Sequence, residues 1–447
     1  MASTYLTYTP SAGDATARQK WTWSAWVKRS KLGSSQFLFC GGDGGSYPTQ
    51  IYLSSGDVFA VYDTGENATA ATSAKLRDTS AWYHLVARFD ATQGTAADKM
   101  KLYINGVQQS LGTSWNQSNT NPSSMGKGET HVLGRRSSGD NFNGLMSHVH
   151  FCLGYSYGPD SFGSTDSTTG EWKINTSPSV SYGSQGFWWL KDNITTTDHS
   201  PNSNTFTVSG GTLTKTEDNP SNVFATLNPL NIPVSNQPTF SNGNTTSISS
   251  SSGGDNGKWG GCSTLGMTSG KFYCEAKATV DGTYSRNVIG ITGSATDVAR
   301  TNATILSNTG NSSGYYSENG QVNYNNSQQY TGAVYGTGDI VQIAIDLDNN
   351  RLFYGKNGVW NNSGDPTSST GAITIAAASD CPDGAYFFAQ NDDTGTSAQS
   401  KFEWNFGNGY FGTTAVSSAG TNASNNGIFE YDVPAGYTAL STKGLNL

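Results

Sequence analysis

The chain reads as all-β, with two antiparallel β-sandwich domains in tandem. Three observations predict this. The first is a hairpin at 339–360. Val341, Ile343, Ile345 and Leu347 alternate there with Gln342, Ala344 and Asp346, the period of two that gives a strand one buried face. Asn349-Asn350 tolerates the positive φ of a reversal, and Leu352, Phe353 and Tyr354 return. Asn357-Gly358 then turns the chain again before Trp360. The second is a rhyme. Residues 82–90 read as a strand, and 101–108 as another running into Asn105-Gly106, so each half of the chain is built around a hairpin. The third is composition. Glycine supplies 54 of 447 residues, above the usual ~7%. Charged residues are 13%, against about 25% in an average soluble protein. No helical periodicity is sustained, so short strands joined by polar loops account best for the whole.

The same numbers exclude several functions. The formal net charge is −8 and the pI about 5.1, with no basic stripe of the kind nucleic acid requires. No apolar run approaches the ~20 residues that cross a bilayer, so neither nucleic-acid binding nor membrane insertion is expected. The start, Met1-Ala-Ser-Thr-Tyr5, lacks a basic and apolar leader. Synthesis in a host cytoplasm and release by lysis is the expectation. Cys40, Cys152, Cys262, Cys274 and Cys381 are scattered, with no Cys-x-x-Cys pair, and read as small buried residues.

The first domain is expected over 1–190. Trp21, Trp23 and Val27 face one way, Ser24 and Trp26 the other. Strands follow at 37–40, 50–53, 58–62, 82–108, 131–136 and 143–153, with turn signals about every ten residues, as in a sandwich. The order of Ser24-Ala-Trp-Val-Lys28, Trp82-Tyr-His-Leu-Val86, Leu102-Tyr-Ile-Asn-Gly106, Leu133-Gly-Arg135 and Asn143-Gly-Leu-Met146 resembles the laminin G-like, concanavalin A-like jelly-roll family. That resemblance implies two curved sheets and, often, sugar or protein binding by rim loops. It also admits calcium in loops, for which Asp43, Asp57 and Asp63 are the residues at hand.

Residues 191–221 read as a polar linker lying along the first domain and not a free tether, with Phe206 and Val208 as isolated apolar points. The second domain, 222–410, carries Gly270-Lys-Phe-Tyr-Cys-Glu275, Ile289-Gly-Ile291, Asp339 to Asp346 and Phe353-Tyr354 before Asn357-Gly358. In that order they resemble the SPRY β-sandwich. Residues 411–447 read as a C-terminal tail. The phrases at 218–230 and 433–442 resemble those of structural and tail-fibre-like proteins of marine bacteriophages, in which such modules occur in tandem. This implies a virion-surface protein whose partners are other virion structural proteins and host-surface polysaccharide. By analogy with fibres it implies a homo-oligomer, a trimer. No anchoring head or long shaft is seen, which leaves tail or capsid attachment open.

A glycoside hydrolase needs two positioned carboxyls. Only Glu430-Tyr-Asp432 begins a Glu-x-Asp-x-x-Glu pattern, and it lacks the last acid. No catalytic residue is assigned, and a non-enzymatic protein is expected; the alternatives are a carbohydrate-active enzyme on this scaffold or a bacterial lectin. His148 and His150 lie two apart, with His84 and His131 elsewhere, but a strand that merely contains histidines outweighs zinc. Asp346-Leu-Asp-Asn-Asn350 is better read as a hairpin end than as a calcium loop. Gly41-Gly-Asp-Gly-Gly45 is no phosphate loop. No metal site is expected. Aromatics in polar loops carry the binding hypothesis, because sugars stack their C–H faces on rings while amides bond their hydroxyls. The candidates are Trp115, Tyr155, Tyr157, Tyr284, Tyr315, Tyr316 and Tyr330, with Tyr324 in similar surroundings.

Overall fold

The structure, a computed structural model, describes residues 4–446 apart from 43–47, 137–138, 192–195, 234–236, 250–258, 280–286, 299–305, 309 and 393–399. It forms two compact units, 1–215 and 216–447, and is almost entirely β. Its α-helices among the described residues are two single turns, Ala96–Lys99 and Ala295–Val298. No helix of the described residues is long and apolar enough to cross a membrane.

Unit 1 pairs an eight-stranded with a six-stranded sheet, all antiparallel. The larger runs Leu111–Thr113, Ala68–Lys75, Val58–Asp63, Thr49–Leu53, Gln36–Gly41, His131–Leu133, Tyr5–Tyr8, Thr207–Ser209. The smaller runs Phe187–Trp189, Gly144–Leu153, Lys20–Arg29, Tyr83–Asp90, Met100–Ile104, Val107–Gln108. Between them lies one core of alternating inward residues. Trp21, Trp23, Phe89, Phe151 and Trp189 come from one sheet, and Leu6, Phe39, Ile51, Phe59 and Val61 from the other. Each such side chain removed from water contributes roughly 1.5–3 kcal/mol. Val27 points inward with Trp21 and Trp23, while Ser24 and Trp26 point outward, as their alternation requires. Asn105 (φ 48°) and Gly106 (φ 80°) both take positive φ, the type I′ geometry that the Asn-Gly pair signals. Gly106 is also required by contact, since a Cβ there would fall 2.4 Å from the Trp172 ring.

Within the stretch 191–221, residues 206–209 lie against unit 1 and join its fold. Phe206 is 3% exposed in the first core, and Thr207–Ser209 completes the edge of the larger sheet by pairing with Tyr5–Tyr8. Three residues of strand were too few to register as a period of two.

Unit 2 has a nine-stranded sheet, in which Ile340–Asp346 pairs with Lys271–Thr279 and Arg351–Lys356, and a six-stranded sheet containing Asn287–Thr292 and Phe387–Asp392. The hairpin forms in the expected register, Ile345 facing Leu352, and Val341, Ile343 and Ile345 enter the core. Its second face is not solvent-exposed as alternation suggested. Gln342, Ala344 and Asp346 are each at most 1% exposed, because residues 411–447 are not a tail but a cover. Phe429, Val433, Tyr437 and Ala439 pack on Tyr273, Ala344 and Phe353, and Thr438–Ala439 pairs in parallel with Lys271–Thr279. All five cysteines are buried and none forms a disulfide.

Candidate functional site

The outer face of the eight-stranded sheet in unit 1 is the strongest site. Ile51, Leu53, Phe59 and Val61 enter the core, so Gln50, Tyr52, Ala60 and Tyr62 point away from it. Register sets Tyr62 opposite Gln50, Thr69 opposite Tyr62, and Tyr52 between Phe37 and Ala60. Tyr52 stacks on Phe37 at 5.1 Å and 14°. The Arg136 guanidinium lies 4.5 Å over the Phe37 ring, and Arg135 lies 4.1 Å over Tyr5 on the same face. Cys40, Ala60 and Val132 make a buried floor, while Tyr5, Tyr52, Tyr62 and Thr69 are half-exposed. Burial raises the Tyr52 hydroxyl pKa and neighbouring Tyr62 adds to this, with Arg136 opposing; the hydroxyl stays a donor. The Tyr62 hydroxyl donates to Asn67 Oδ1 at 3.3 Å. Gln50 is only 9% exposed, and among the described residues its side-chain amide has no hydrogen-bond partner. Its amide is not among the sealed polar atoms, so it can bond water or a ligand that displaces it. Rings, amide and guanidinium around a small-residue floor form the kind of lining that takes a polar ligand with an apolar face.

The aromatic residues singled out from sequence scatter. Trp115 is 3% exposed and packs edge-on to Phe89 at 5.6 Å, so it anchors its loop and offers no ring to a ligand. Tyr315 is wholly buried against Tyr335 and Tyr354. Tyr316 is 8% exposed, with its hydroxyl 2.9 Å from Ser307 Oγ. Tyr330 is half-buried on the second core, and the Tyr324 hydroxyl accepts the Ala376 N–H. Tyr284 lies outside the described residues. In Ser313–Tyr316 and Gln321–Tyr324 the polar neighbours that suggested a loop are short strands.

Tyr155 and Tyr157 are different. Tyr155 is 40% exposed and lies 5.6 Å from Tyr157, the rings 8° from parallel. The Tyr157 hydroxyl accepts the Ser181 N–H at 2.9 Å. Thr22 Oγ bridges the pair, donating to Tyr155 O and accepting Tyr157 N–H. Next to them a groove of about 480 Å³ is lined by residues 179–183 with Pro201 and Asn202. Among the described candidates, this pair presents a ring to solvent beside a groove. It is a second, smaller candidate.

The groups that could do chemistry are otherwise engaged. Trp172 Nε1–H donates to His84 Nδ1 at 2.9 Å, so Nε2 carries the proton and donates to Ser24 Oγ at 2.8 Å. In that tautomer the histidine cannot take a proton from the serine. Burial holds His84 down to about 3. His131 accepts the Gly126 N–H and lies within bonding distance of Glu129 O. His148 sits at positive φ on a bulge, its ring 6.5 Å from that of His150. Among the described residues no group of three or more His, Cys, Asp or Glu is arranged for a metal. Of the calcium candidates, Asp57 is held by Arg29 and Arg77, Asp63 by Thr49, and Asp43 lies outside the described residues. Glu430 and Asp432 cap Ser417 and Thr421. Asp346 closes its hairpin on Asn349 and Lys271.

Residues 2–152 match the family model described as Concanavalin A-like lectin/glucanases superfamily. No curated protein matches the chain. Among solved structures, it is similar to the SPRY domain of human HERC1 (16% identity, 40% of this chain and 96% of that one, TM-score 0.30). It is similar also to a SAP-like pentraxin from Limulus polyphemus (12% identity, 46% of this chain and 89% of that one, TM-score 0.30). Likenesses this distant carry no functional inference.

Proposed function

We propose that this protein is a lectin-like, non-catalytic glycan-binding protein that holds sugar on the outer face of the eight-stranded sheet in unit 1. The observation that carries the reading is the cluster on that face, the half-exposed rings of Tyr52 and Tyr62 beside the Gln50 amide. The family model matched over 2–152 supports it. Tyr52 and Tyr62 stack sugar rings, Gln50 bonds a hydroxyl, and Arg136 lines the side. Truncating either tyrosine costs about tenfold in affinity, the size of one aromatic contact of roughly 1.5 kcal/mol. Binding of wild type, Tyr52→Ala and Tyr62→Ala to a printed glycan array tests this. Unchanged binding in both variants overturns it. Incubation with any polysaccharide that binds tests the non-catalytic part, and new reducing ends would show an enzyme instead.

The narrower reading is display on a virion surface, where many weak copies gain by avidity. The phrases at 218–230 and 433–442 support it. Labelled antibody on intact particles, with copy number and symmetry by cryo-electron microscopy, decides it.

A further inference from the structure

Lys99 is 1% exposed, yet among the described residues its Nζ faces no carboxylate at hydrogen-bond range. Instead it donates to three backbone carbonyls: Ala91 O and Ser118 O at 2.8 Å each, and Asn119 O. Burying an ammonium without a counter-charge is costly, and here all three N–H bonds go to fixing backbone. The stretch so held is the loop 116–121. Trp115 anchors its start in the core. Gln19 Nε2 donates to Thr120 O at 2.5 Å, and Arg18 Nη1 donates to Ser123 O at 2.8 Å. Glu66 then accepts both Asn119 Nδ2 and Asn121 Nδ2, the latter at 2.9 Å. Lys99 and Gln19 thus hold the loop backbone, Glu66 its asparagine side chains and Arg18 the chain just beyond, while Asn116, Ser118, Thr120 and Asn121 remain exposed.

The position of this loop is what matters. Glu66 is the neighbour of Asn67, whose Oδ1 receives the Tyr62 hydroxyl. Tyr62 faces Gln50, and Tyr52 lies two residues further along that strand, about 7 Å away. A sugar chain laid from Tyr52 to Tyr62 therefore runs along the strands toward the 63–67 turn and meets the loop held there. Resting on the glycan reading above, we infer that Lys99 and Glu66 are positioning residues that make loop 116–121 a fixed end wall of the site, so that it takes the end of a glycan chain rather than its interior. A wall of set amides and hydroxyls costs little ordering on binding, which is how rigid paratopes gain selectivity.

The test uses the full chain and neutral hexose oligosaccharides, disaccharide to octasaccharide, offered with a free non-reducing end or with both ends blocked. Wild type should prefer free ends at least tenfold. Glu66→Ala and Lys99→Met should bring that ratio toward one, with faster hydrogen exchange across 116–121. Tyr62→Ala should weaken both forms together. A general loss of folded protein would lower both affinities and leave the ratio intact, so a ratio unchanged in both variants overturns the inference. Glu66 is half-buried, and its variant stands if Lys99→Met fails to fold. If Tyr52→Ala abolishes binding while the loop variants keep the ratio, the wall is wrong and the glycan site survives. If no oligosaccharide binds wild type, the glycan reading falls and takes the wall with it.

Discussion

The two large sheets of this protein begin from the same alternation and finish differently. In unit 1 the face turned from the core is left half-open. Gln50, Tyr52 and Tyr62 keep polar tips toward solvent. In unit 2 the corresponding face is roofed by residues 411–447, and Glu275 and Gln342 beneath it are bonded within the unit. Glu275, wholly buried, accepts Tyr273 OH, Asn405 Nδ2 and the backbone N–H groups of Glu430 and Tyr431. Gln342 donates to Tyr273 OH and accepts the Gly358 N–H. The difference teaches that access, rather than aromatic count, separates a face open to other molecules from one closed by its own chain.

The largest effect should come from lifting the roof. Phe429, 1% exposed against Tyr273 at 4.9 Å, should destabilise unit 2 by about 4 kcal/mol when cut to alanine. Peptide-resolved hydrogen exchange in urea should show unit 1 unmoved. A loss shared by both units would break the contrast.

Next comes pH. Burial pushes the Glu275 carboxyl up to about 7, against the four hydrogen bonds that pull it down. A raised acid holds its proton in the folded state after the unfolded chain has released it. Its stabilisation is full below the ordinary value of 4.5 and is lost as pH rises through about 7. All five histidines are in unit 1. Burial lowers His84 to about 3 and His131 to about 4, and His150 well below its usual range. Their contribution is full above 6.5 and fades as pH falls toward 4. Buried Asp63, whose pKa burial raises, opposes them in unit 1. Between about pH 5 and pH 7, unit 1 should therefore gain stability as unit 2 loses it. Unfolding midpoints of each unit against pH check this, and Glu275→Gln should flatten only the second slope. Parallel slopes would refute it.

The smallest effect is at Tyr155. If the outer face of the large sheet is the principal site, Tyr155→Ala should change affinity on the same array less than threefold, and stability by under about 0.5 kcal/mol. A loss equal to that of Tyr52→Ala would move the site to the groove at 179–183.

Much of this architecture was legible in the sequence because it is local. The alternation in 21–27 and 339–347 placed inward faces correctly, and Asn105-Gly106 and Asn357-Gly358 marked turns that take positive φ at both residues. Distant cover was not legible. Nothing in 433–440 says that it pairs with Phe272 and Tyr273, and nothing in 206–209 says that it borders Tyr5. The candidate site was not legible for a related reason. Gln50, Tyr52 and Tyr62 lay on strands that were recognised, and their place opposite Ile51 and Val61 already turned them outward. Polar neighbours are a poorer guide to an exposed ring, because for Trp115 and Tyr315 the neighbours point out while the ring points in.

The buried cysteines have a practical consequence. Cys40 and Cys152 belong to unit 1, and Cys262, Cys274 and Cys381 to unit 2. Burial pushes the Cys262 thiol up to about 12 and raises Cys152 and Cys274 as well, so a maleimide dye finds almost no thiolate in the native protein. Labelling has to wait for each unit to open. Mass spectrometry of the tagged peptides would then time the two openings separately, with native sequence and no engineered probe.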